Sequence, residues 1–187
     1  MINEALTCLT EEINEYFKNR LKLSEDKVIL SGIISQDGSV AIKEENKIVI
    51  TLVNLEEEPV SRNTSLMNNR SGGNAAPPVK IHLYLLFSAY FAPSNYQEGL
   101  QFISFVISFL QEKNVFTSAN TPRLDSSIDK ISIEMVSLSI EKLNNLWATL
   151  GAKYMPSVLY KMRMLSFSNT NAREFRPPVL SAADDAT

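Results

Sequence analysis

Cysteine is almost absent. Cys8 is the only one in 187 residues, so no internal disulfide can brace the fold, and synthesis in a reducing compartment fits this usage. Histidine is equally scarce, and His82 is the one candidate base for a Ser-His-Asp or Cys-His site. It sits in a strand-like stretch beside Lys80 and Tyr84, where a structural role is expected. Neither sign of charge is in excess. Eighteen Lys and Arg against 21 Asp and Glu leave −3, without the basic field that a nucleic-acid reader needs. No run approaches the roughly 18 apolar residues of a bilayer span, and MINEALTCLTEEINEYF carries acids where a secretory signal carries bases, so neither stable membrane insertion nor signal-directed export is expected. Gly72-Gly73 has neither the spacing nor the following lysine of a phosphate loop. Glu56, Glu57 and Glu58 could hold a hard cation, but three consecutive acids at a strand end are expected to face solvent. Catalytic, cofactor-binding and metal-binding residues are therefore all expected to be none, and the chain is not expected to be an enzyme.

What is present is strong periodicity. Residues 139–167 hold a helix, a stop and a strand. Leu143, Leu146, Trp147 and Leu150 share one helical face, Ser139 is placed to cap the start, and Gly151 closes the end. Those four side chains are the expected core of this segment, covering a sheet. After Pro156, Val158, Tyr160, Met162 and Met164 alternate with Leu159, Lys161, Arg163 and Leu165, as in a strand.

Upstream, Ile2, Leu6, Leu9, Ile13, Tyr16 or Phe17, and Leu21 predict a first helix over about residues 2–21. The β-branched run from Val28 to Ile34 predicts a strand, and the nearly continuous apolar run from Ile48 to Leu55 predicts a second, central one. Val79 to Phe91 predicts the longest strand, antiparallel to its predecessor in an extended two-stranded arm. Between them, residues 61–78 lack any period and are rich in Asn, Ser, Gly and Pro, which predicts a long mobile loop. A second helix over about 95–113 is apolar nearly all round, with Asn95 and Glu98 at capping-box spacing, so it should be covered on several sides. Ile131, Ile133 and Met135 begin another strand, and the shift of alternation at Val136 suggests a bulge or a turn into the next helix. The sum is one α/β domain of α+β type over residues 1–167, with a largely antiparallel mixed sheet of about 4–5 strands and about three helices, followed by a loose tail over 168–187.

In order, LTEEINEYF, KIVITLVNLEEE, PPVKIHLYLLFSAYF and SIEKLNNLWATLGAKYMPSVLYKMRML resemble the cap, or tail-terminator, family of contractile injection systems. The resemblance covers roughly residues 1–167. It implies a phage-tail-terminator-like fold and a homohexameric ring that seats on the distal end of the inner tube and sheath and halts their polymerisation. It also implies assembly in a bacterial cytoplasm, followed by residence in the injection particle. On that reading the candidate subunit and partner contacts are Arg62, Asn63, Met67 and Arg70 of the loop, Tyr84 and Tyr90 of the long strand, and Phe102, Phe105 and Phe109 of the second helix. Arg173, Phe175 and Arg176 of the tail complete the set. The alternative is a peptide- or small-ligand-binding module without catalytic activity, using a groove beside residues 61–78.

Overall fold

The structure, a computed structural model, describes residues 1–58 and 80–166. Helix α1 (Ile2–Leu21) leads into strand β1 (Val28–Leu30), then β2 (Lys47–Glu57) and β3 (Lys80–Tyr90). A single 3-10 turn, Pro93–Asn95, precedes α2 (Tyr96–Glu112). Strands β4 (Val115–Thr117) and β5 (Ile128–Val136), helix α3 (Ile140–Leu150) and β6 (Ser157–Ser166) are the remaining elements among the described residues. The six strands form one sheet in the order β1-β2-β3-β6-β5-β4. Only the β1–β2 pair is parallel. The expected class is therefore correct, with one more strand than expected. Strand β4 has three residues, too few for alternation to rise above the polar chain around it.

Helices α1 and α2 cover one face. Their apolar stripes meet Ile48 and Ile50 of β2, the odd-numbered residues of β3, Ile131 and Ile133 of β5, and Tyr160, Met162 and Met164 of β6. Gly99 lets α2 come close to β3, since a Cβ there would stand 3.2 Å from the Phe91 ring. Helix α3 packs on the other face, where Trp147 joins Ile33, Ile42, Val49, Leu86 and Leu159. Its ends follow the local rules: the Ser139 hydroxyl accepts the Lys142 amide, and Gly151 closes the helix at φ 66°. Among the described residues no helix is long and apolar enough to cross a membrane.

Two local expectations need correcting, and a third resolves to one of its alternatives. Asn95 does not cap α2 with its side chain; its amide donates instead to Asn46, whose carbonyl oxygen also accepts the Ala92 amide. A tertiary partner has displaced the local one. The shift of alternation at Val136 is the turn into the next helix, since β5 ends there and α3 begins at Ile140; the ladder irregularities lie elsewhere, at Ile128–Lys130 of β5 and Leu52–Asn54 of β2. Strands β2 and β3 do pair antiparallel, but they form no separate arm, because β6 runs along the other side of β3 from Lys80 to Ser88. The loop expected at 61–78 and the tail expected at 168–187 lie outside the described residues.

Tyr160 gives the core a pH limit. Its ring meets Phe87 edge-on at 5.5 Å, and its hydroxyl, buried, has no hydrogen-bond partner among the described residues. Burial pushes that hydroxyl up to about 12. The folded state therefore holds the proton more tightly than the unfolded chain does. Its contribution is intact below the ordinary tyrosine value near 10 and is lost as pH rises towards about 12. Tyr160→Phe should flatten that alkaline loss and leave neutral-pH stability equal or up to about 1 kcal/mol higher. Urea unfolding of both proteins between neutral pH and pH ~11 checks it, and an unchanged alkaline slope would refute it.

Candidate assembly interface

The second face of the sheet divides in two. Near α3 the strands contribute Val49, Leu86 and Leu159, while farther along the same strands the exposed side carries Glu56, His82, Lys161 and Arg163. Length explains the division: an eleven-residue helix is about 16 Å long and an eleven-residue strand about 36 Å, so α3 cannot cover both halves. The uncovered half holds a shallow depression of about 430 Å³ lined by Glu58, His82, Asn114, Glu134, Lys161 and Arg163, among others. Its charges are already matched. Lys161 pairs with Glu134, and the Arg163 guanidinium grips both carboxylate oxygens of Glu58. The Lys161 hydrogen bond holds the Glu134 carboxyl below its usual range, and the same bond raises Lys161. Nearby, the Tyr84 hydroxyl donates to Glu56 at 3.0 Å, and burial, with Glu56 beside it, pushes that hydroxyl up.

His82 and Ser132 share the depression but stand two strands apart with Arg163 between them, a separation of about 10 Å. No nucleophile meets its base there. Among the described residues no three His, Cys, Asp or Glu side chains converge as a metal site would require. Cys8 is buried, and burial pushes its thiol up, away from the reactive thiolate.

The proposed contact residues separate by location. Phe102 and Phe109 are buried in the core: α1 lies against them, with Phe17 at 5.3 Å from Phe102 and Tyr16 at 5.1 Å from Phe109. Phe105 is partly buried at the border of that core, 6.3 Å from Phe17. Tyr90 packs partly buried against the α3 cluster, and Tyr84 lies at its edge. The core expectation for α3 resolves into one fully buried side chain, Trp147, flanked by partly buried Leu143, Leu146 and Leu150. Arg62, Asn63, Met67, Arg70, Arg173, Phe175 and Arg176 lie outside the described residues.

Once α1 has taken the aromatic side of α2, a second stripe remains outward. Tyr96 is 54% exposed and Leu100 42%, and half-buried Ile103 and Ile107 continue the same line at helical spacing. Sequence reasoning missed this stripe because eight apolar side chains around one helix hide which of them a neighbouring helix will claim. Beyond it, β2 emerges from the core with Leu52 38% and Leu55 48% exposed. Among the described residues, both faces and one edge of the sheet therefore keep exposed surface.

A comparison with curated protein sequences finds no match. Solved structures do match the fold. One is the sheath/tube terminator of the extracellular contractile injection system PVC in its extended state, at TM-score 0.56 and 14% identity over 100% of this chain and 64% of that one. Another is the tube-terminating cap of the anti-feeding prophage, at TM-score 0.50 and 14% identity over 93% of this chain and 58% of that one. The chain thus spans less than two thirds of either relative. The family model described as the Pvc16 N-terminal domain matches residues 4–181, nearly the whole sequence, and the chain belongs to that family.

Proposed function

We propose that this protein is a structural cap of a contractile injection system, forming a ring on the distal end of the inner tube and sheath and stopping their growth. The observation that carries the reading is the fold shared, over the full chain, with a sheath/tube terminator. The physical logic is simple. A stack of identical rings always presents the same binding surface, so addition continues until something occupies that surface without recreating it. Shape complementarity suffices for this, and the exposed half of the sheet presents matched ion pairs, Lys161–Glu134 and Arg163–Glu58. The ring is a homohexamer on this reading, with tube and sheath proteins as its other partners, assembled in the bacterial cytoplasm and retained in the particle.

Electron microscopy of particles made without the protein tests the function. Lengths should spread widely without a fixed stopping point, and uniform particles with ordinary capped ends would rule the reading out. The exposed stripe on α2 suits a cyclic interface, in which each subunit offers two different patches. Leu100→Asp should change monomer stability by no more than about 0.5 kcal/mol while abolishing the ring. Light scattering after size exclusion, run beside thermal unfolding, reads both effects. A ring that survives the substitution places the subunit contact elsewhere.

A further inference from the structure

Strand β2 is half-covered along its outer edge. Strand β1 pairs with it only from Ile48 to Ile50, and the Ser31 amide donates the last bond, to the Ile50 carbonyl. The chain then leaves to pack Ile33 beneath α3. Beyond Thr51, β2 continues to Glu57 with β3 on one side and, among the described residues, no strand on the other. The Glu58 amide turns inward to Lys80, so ladder alternation turns the amides of Leu55 and Glu57 outward. Leu55 is exposed on the helix-covered face, and Glu57, on the same face, has no ion pair among the described residues. An open edge of this length, with Leu52 and Leu55 exposed beside it, is a template for another strand, which folded proteins ordinarily cover.

We propose that the chain's own residues 173–176 cover it, adding to β2 as an antiparallel seventh strand. Three features of the chain agree on this occupant. The first is position. Strand β6 ends beside the start of β3, with Leu165 opposite Lys80, and Ile81 stands opposite Glu57, so the C-terminal segment leaves from the same end of the sheet as the open edge. The second is reach. Three strand spacings separate β6 from a strand outside β2, about 14 Å, and the six residues 167–172 can span about 20 Å. A chain returning from that end runs antiparallel to β2.

The third is side-chain chemistry. With Arg173 opposite Glu57, Phe175 falls opposite Leu55 on the same face, pairing a base with the unmatched acid and an aromatic ring with the exposed leucine. Glu174 and Arg176 fall on the other face, where Glu174 stands opposite Glu56, a repulsive pair, and Arg176 lies diagonal to Glu56 and next to Glu174's position, offsetting it. Pro177 then occupies a position that would have to donate a bond to β2, and having no N–H it ends the ladder there. The family match, running on to residue 181, includes this segment in the domain.

The inference concerns the isolated chain and stands apart from the ring reading. Its test is a disulfide between Leu55→Cys and Phe175→Cys in the full-length protein. Directly opposed antiparallel residues lie about 5.5 Å apart at Cα, within disulfide reach. Cys8 is too buried to interfere. Dilute oxidation should give an intramolecular bond, with the protein migrating as a monomer on a non-reducing gel. The control pair, Tyr154→Cys with Phe175→Cys, should stay reduced, because Tyr154 lies before the start of β6 at the opposite end of the sheet. Hydrogen exchange supplies a second readout that needs no cysteine. The Leu55 and Glu57 amides should exchange at least about tenfold faster in Phe175→Asp than in the parent, as an opened edge bond would. Bonding only between molecules, equal bonding in the control pair, or equal exchange in the two proteins would each overturn the proposal.

Discussion

Replacing Asn14 with alanine should cost about 3–5 kcal/mol, because three backbone groups lose their only side-chain partner at once. Asn14 sits on α1 and is 7% exposed. Its amide nitrogen donates to the Val28 carbonyl at 2.8 Å, and its oxygen accepts the Lys27 and Val28 amides at 3.0 and 2.8 Å. These bonds fasten the start of β1 to α1, and β1 is too short to hold its place by a ladder of three residues alone. Buried backbone groups left unpaired carry most of the penalty, at about 1–3 kcal/mol each before relaxation and water entry. Asn14→Leu separates bonding from packing: it restores volume but no polar atom, so it should be nearly as damaging as alanine. Urea unfolding gives the answer. A shift under about 1 kcal/mol for either variant would mean that β1 is held by its apolar contacts, and the hydrogen-bond account would fail.

Trp147→Ala should remove a comparable amount, about 3–5 kcal/mol, for a different reason. The indole is 3% exposed, lies among Ile33, Ile42, Val49, Leu86 and Leu159, and meets Tyr154 edge-on at 5.8 Å. It is the one fully buried side chain of α3, and a helix of eleven residues has little stability apart from what it packs against. The cavity would therefore loosen α3 itself as well as the global fold. Exchange of the α3 amides should accelerate more than exchange in β3, which the other two helices also cover. Trp147→Phe should cost far less, under about 1.5 kcal/mol, since a ring remains and the indole N–H, unpartnered among the described residues, is removed. Equal losses for the alanine and phenylalanine variants would show that volume is not what Trp147 contributes.

Much of this protein is written in its local sequence. The periods of α1, α2 and α3, the alternation of β3 and β6, the hydroxyl of Ser139 and the glycine after α3 depend on residues within a turn or two of one another. Backbone geometry settles such features before any tertiary contact forms. What the tertiary structure decided was ownership. Asn14 reads as one more polar position on an amphipathic helix until β1 arrives beside it, and Asn95 reads as a cap until Asn46 takes its amide. Phe102 and Phe109 became core because α1 lies against them, which left Tyr96 and Leu100 outward. Insertion of β6 between β3 and β5 turned an expected arm into the middle of a sheet, and among the described residues the far half of β2 is its edge. Hydrophobic burial has no direction along the chain and strand pairing joins segments far apart in it, so which apolar surface is covered, and by what, is settled only when the distant elements meet.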